Sequence, residues 1–209
     1  MPLHHQPTRS AAHPAIVRFL HWLWVYAIGS LVFSGWQIYN ASPSLAFNFP
    51  RWTGLGGWLG GALAWHFSAM WLLALTGVAY LAYGFISGHF RRDLGLPTPR
   101  AVVRDLRSAL TFRLGHRIGH YNAVQRLLYL GVIGALLVQV VTGLAIWKPV
   151  QFGVLVGLFG GYPIARNIHL TTMFLIVAFI VVHVVLVAIF PRTLVSMIVA
   201  TPAEPENPI

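Results

Sequence analysis

Apolar and polar positions alternate along this chain on a long scale rather than residue by residue. Four stretches, about 16–38, 63–86, 124–147 and 167–190, are almost wholly apolar and aromatic. Each is long enough to cross roughly 30 Å of hydrocarbon as a helix. The pattern predicts an all-α integral membrane protein, a four-helix up-and-down bundle over residues 15–195. Residues 1–14, where Pro2, Pro7 and Pro14 stand among polar groups, are expected to form a poorly ordered cytoplasmic arm, and 196–209 a cytoplasmic tail. The first run is too long for a cleaved leader and lacks a small-residue cleavage site behind a short core, so it is expected to remain as an anchor.

The connections differ in kind. Residues 40–62 and 148–166 are rich in Gly and Pro and poor in charge, as turns at a membrane surface are. The apolar stretch 152–159 is too brief to span and is expected to be an interfacial turn. Residues 87–123 are instead rich in Arg. Within them Val102, Val103, Leu106 and Leu110 recur at helical spacing, which suits either an amphipathic helix on the inner leaflet or a basic loop that only sets topology. No internal repeat is evident.

Charge orients the spans. Of 14 Lys and Arg residues, all but Arg51, Lys148 and Arg166 fall on the side of the termini and the middle loop. The positive-inside rule places that side in the cytoplasm, and an even number of spans agrees. Composition supports the same class: 57% of residues are apolar, 9% are charged and the mean hydropathy is +0.70, whereas a soluble domain carries about a quarter charged residues. The net charge of +10 could suggest nucleic acid, but its one-sided distribution points to lipid and topology instead. With no cysteine, disulfides, thiolate metal sites, iron–sulfur ligation and covalent haem attachment are excluded. Histidine is the remaining soft ligand.

Four histidines lie inside the predicted spans: His21 in the first, His66 in the second, and His169 and His183 in the fourth. A strongly polar side chain at membrane depth costs free energy unless paired, so each implies a partner. His169 and His183 are fourteen residues apart, which advances a helix by about 21 Å and brings it within about 40° of four whole turns. Both rings therefore leave one face, near opposite membrane surfaces. In an up-and-down fold the four sort by depth, His21 with His183 at the inner level and His66 with His169 at the outer.

Two such pairs are what two bis-histidine b haems require, since neutral imidazole binds iron and bundle interiors accept the cofactor. Gly35 and Gly143 lie at outer-haem depth and could make room for a macrocycle. Arg18 and Arg166 each stand one helical turn before a histidine and could reach a haem propionate, or could simply snorkel at helix ends. Alternatives remain for the histidines as well. A buried imidazole can be a hydrogen-bonded core residue, and histidines also serve metal transport, although such sites add carboxylates or sulfur and no span contains Asp or Glu. His89, His116 and His120 suit solvated loops; with Arg126 and Tyr129, His89 and His120 could instead rim a quinone pocket. The tryptophans near span ends suit interface anchors.

The sequences Arg18-Phe19-Leu20-His21-Trp22 and Trp65-His66, with His169 and His183 fourteen apart, resemble the bacterial diheme cytochrome b family. Its members are membrane subunits of nickel–iron hydrogenases, formate dehydrogenases and thiosulfate reductases. The likeness covers about residues 15–195. It implies electron exchange between the quinone pool and a periplasmic redox partner. The segment Ser34 to Asn40 is similar to members paired with a molybdopterin oxidoreductase of the sulfite-oxidase type. Some relatives have a fifth span that is lacking here, which argues against a hydrogenase partner. Two other functions fit the same residues: a stand-alone superoxide:quinone oxidoreductase using both haems, and a non-redox metal transporter or scaffold.

Overall fold

The computed structural model describes residues 14–88, 95–111 and 122–200. His89, His116 and His120 lie outside these residues. The described chain is helical. Helices α1 (Ala15–Ala41), α2 (Leu59–Ile86), α4 (Ala123–Trp147) and α6 (Tyr162–Ile189) are long and apolar enough to cross a membrane. Three shorter α-helices, α3 (Pro99–Leu110), α5 (Gly153–Leu158) and α7 (Pro191–Ile198), and a 3-10 turn at Arg51–Thr53 complete the described elements. The long helices have 27, 28, 25 and 28 residues, so each outruns its apolar stretch and carries its ends into the interface.

Local chemistry fixes their starts. Pro14 precedes α1, where its missing N–H costs nothing. Asn122 caps α4 reciprocally: its side chain accepts from the Gln125 backbone N–H at 2.8 Å, and Gln125 Oε1 accepts from the Asn122 N–H at 3.1 Å. Within the middle segment, Pro99–Leu110 is helical. α3 leaves Val103 and Leu106 exposed as an apolar stripe and is tied to α4 by Asp105, which accepts from the Ala123 N–H at 2.9 Å. The turn expected at 152–159 contains the single short helix α5. α7 carries the chain helically across the boundary drawn at residue 195. It is tied back to α1, since Trp22 Nε1 donates to the Met197 carbonyl at 3.1 Å and Arg18 Nη1 to that of Ile198 at 3.3 Å.

The bundle is built as two antiparallel hairpins, α1/α2 and α4/α6. Close backbone packing lies within each hairpin, and the hairpins approach one another closely at few points. Fully buried side chains are small: Ala27, Ala62, Ala145, Ala165, Ser34 and Thr142. Small residues let helix backbones approach where lipid removes the hydrophobic drive for packing, while exposed Leu75 and Val78 suit a lipid-facing surface.

The hairpins also repeat one another, which the residue pattern conceals. One constant shift along α1 and α4 lays Arg18 on Arg126, Ser34 on Thr142, Gly35 on Gly143 and Tyr39 on Trp147. Another along α2 and α6 lays buried Ala62 on Ala165, His66 on His169 and buried Leu73 on Ile176. Each second helix follows two consecutive left-handed glycines, Gly56–Gly57 (φ 105° and 73°) and Gly160–Gly161 (φ 81° and 109°), which a Cβ would strain. Lipid-facing positions share little, so the expectation of no repeat fails only through its interface residues.

Candidate haem-binding site

Both levels of histidine span the gap between hairpins. At the inner level the rings of His21 on α1 and His183 on α6 have centroids 6.2 Å apart and planes inclined at 62°. Trp22 meets His21 edge-on at 5.5 Å, and Phe179 stacks on His183 at 5.8 Å with planes 12° apart. At the outer level His66 on α2 and His169 on α6 lie close enough to interact electrostatically.

The outer rings are held by hydrogen bonds inside their own hairpins. His66 Nδ1 lies 3.1 Å from Ser34 Oγ on α1, and His169 Nδ1 lies 2.9 Å from Thr142 Oγ1 on α4. The backbone of Leu31 adds a second polar partner for His66, as that of Gln139 does for His169. Gly35 and Gly143 sit against these same rings: a Cβ at Gly35 would lie 3.5 Å from His66 Cε1, and one at Gly143 3.4 Å from His169 Cε1. Each glycine thus abuts an imidazole, at a distance where a Cβ would make ordinary contact.

A metal ion held between two imidazoles on opposite sides sets ring centres roughly 6 Å apart, two bonds of about 2.0 Å plus two ring radii. The inner pair has that separation. Among the described residues no three His, Asp or Glu side chains gather as a metal cluster, so the histidines come as pairs. The model of the prokaryotic cytochrome b561 family matches residues 12–199.

This chain belongs to the prokaryotic cytochrome b561 family.

It is 50% identical over 189 residues to a protein of Azospira oryzae, with 90% of this chain and 96% of that protein covered. That relative carries the provisional name protein-methionine-sulfoxide reductase subunit YedZ1. A cytochrome b561 is a membrane cytochrome b, and the family implies haem b and electron transfer. The residues of this cytochrome b561 fit the cofactor. Buried Arg18 Nε and Arg126 Nε, equivalent in the two hairpins, have no hydrogen-bond partner among the described residues. Orphaned guanidinium donors at the inner end are what an anionic propionate would satisfy.

The terminal nitrogens of Arg18 and Arg166 donate to the carbonyls of Ile198 and Ser42. Of the Arg18 guanidinium, buried Nε is left without a partner among the described residues. Trp36 is more than an interface anchor, because it stacks on Phe49 at 4.7 Å with planes 6° apart within a cluster that includes Tyr39 and Phe47. Asn40 fastens that outer loop, donating to the Phe49 carbonyl at 2.9 Å and accepting from its N–H at 2.8 Å. Sequence reasoning missed Ser34 and Thr142 as partners of the outer histidines; the hydroxyl–glycine dipeptide shared by α1 and α4 was the available signal.

Proposed function

We propose that this cytochrome b561 holds two b haems, one between His66 and His169 and one between His21 and His183. In this reading it passes electrons from a membrane quinol to a periplasmic oxidoreductase, one that reduces methionine sulfoxide in proteins. The observation that carries it is the inner pair, whose 6.2 Å separation between two otherwise separate hairpins matches axial ligation of one ion. The name of the Azospira oryzae relative supplies the substrate class and hence the direction. Reducing a sulfoxide to a thioether and water takes two electrons and two protons, which oxidation of one quinol releases. Haem b supplies a one-electron couple, so a two-electron donor and acceptor can be joined stepwise.

The chain's own residues do the rest. The four imidazoles would hold the two haems, which when bound supply one-electron transfer. Arg18 and Arg126, whose buried Nε donors have no partner among the described residues, would neutralise propionates at the inner level. The aromatic cluster around Trp36 and Phe49 covers the outer level, where the partner docks. Arg126 and Tyr129 stand at the inner rim, where a quinol head group could be hydrogen-bonded.

The test uses right-side-out membrane vesicles containing the full chain and its oxidoreductase partner, supplied with a short-chain quinol and a methionine-sulfoxide peptide. Quinol-dependent formation of the thioether, lost in His183→Ala, is expected. Haem reduction by superoxide with no transfer to the partner would favour the stand-alone quinone reductase instead.

A further inference from the structure

Each outer histidine meets a hydroxyl whose own proton is already committed. Ser34 Oγ lies 2.5 Å from the Ser30 carbonyl, and Thr142 Oγ1 lies 2.7 Å from the Val138 carbonyl. Two oxygens approach that closely only with a proton between them, and a carbonyl has none to give. The hydroxyl therefore donates to its own helix, and toward the histidine it can only accept. Nδ1 of His66 and Nδ1 of His169 must be the donors, each shared between its hydroxyl and the Leu31 or Gln139 backbone.

A neutral imidazole has one ring proton, so donation from Nδ1 leaves the lone pair on Nε2. Free histidine prefers the opposite tautomer, with its proton on Nε2, where no metal could bind without a proton shift. The bland account, a serine or threonine turned back on its helix to hide its hydroxyl, is common in apolar helices. It does not explain why both hairpins place the hydroxyl at equivalent positions, follow it with a glycine, and face it with a histidine.

We infer that Ser34 and Thr142 are positioning residues that lock His66 and His169 in the Nδ1–H tautomer and aim Nε2 at the outer iron. The inference rests on the proposed outer haem and adds how the chain prepares that haem's ligands before the cofactor arrives. Gly35 and Gly143 lie beside the same rings, where a Cβ would make ordinary contact with Cε1. An acceptor on Nδ1–H also makes the imidazole a stronger donor to the metal, so the hydroxyls tune as well as orient. At the inner level Phe179 stacks on His183.

The experiment compares full-length wild type, Ser34→Ala, Thr142→Val and Thr142→Ser by optical redox titration with paramagnetic resonance of each oxidised haem. Ser34→Ala and Thr142→Val are expected to move the outer haem to a more positive potential and alter its low-spin signature. The inner haem should stay in place, and Thr142→Ser should return the wild-type values. Unchanged outer potentials with full haem content, or equal movement of both haems, would overturn the inference. Nitrogen resonances of 15N-histidine in the haem-free full chain separate this from the functional reading. Nδ1–H at His66 and His169 in wild type, shifting toward Nε2–H in the two hydroxyl-free variants, supports the device even if no haem loads. Nε2–H in wild type refutes it even if both haems are present.

Discussion

The outer and inner histidine levels are built by different means. At the outer level each ring is fixed within one hairpin, His66 by Ser34 and His169 by Thr142, with a glycine beside each ring. Either hairpin can present its ligand before the halves meet. At the inner level His21 and His183 come from different hairpins and are packed by Trp22 and Phe179. The C-terminal helix α7 closes that end through Arg18 and Trp22. The repeat is intact at the outer level and broken at the inner one, where Tyr129 stands for His21 and Tyr80 for His183. One half-site is thus repeated in both hairpins, while the other is asymmetric.

The largest expected effect separates the levels outright. His183→Ala should remove one haem and His66→Ala the other, each halving the haem-to-protein ratio and deleting a different component of the redox titration. Loss of both haems from His66→Ala would mean that the levels are not independent. Next come the two glycines, where size decides. Gly143→Ala adds a Cβ at ordinary contact distance from His169 and should bind haem normally, whereas Gly143→Leu should displace the ring and empty the outer level alone. Haem content measured for both variants checks this.

Smaller effects probe what closes the inner level. Trp22→Phe keeps the ring but loses the bond to the Met197 carbonyl, a contribution of about 1 kcal/mol. It should speed haem loss from the inner level on warming and leave the outer rate unchanged. Smallest for the site is Asp105→Ala, which frees the Ala123 N–H at the start of α4 and should cost about 1 kcal/mol of thermal stability. Both haem spectra should stay at wild-type values. A shift in either spectrum would show that α3 bears on the haems, contrary to the division drawn here.

Much of this was legible in the sequence because membranes make polar residues conspicuous. The four spans stand out by length and apolarity, and His169 and His183 by a spacing that returns the helix to one face. Ser34 and Thr142 were not legible as partners of histidine, since hydroxyl residues in apolar helices usually bond their own backbone, and these do that too. α7 was obscured by Pro191, which reads as a stop but sits in the first turn, where proline is tolerated. Arg18 and Arg166 were visible as cations near helix ends, but their carbonyl partners at Ile198 and Ser42 depend on how distant segments pack.

The most direct measurement of the central claim is a reduced-minus-oxidised visible spectrum of the purified full chain, with haem quantified per protein. Two low-spin b haems per chain are predicted, with His169→Ala and His183→Ala removing different ones. A colourless protein, a single haem, or loss of the same haem in both variants would contradict the account.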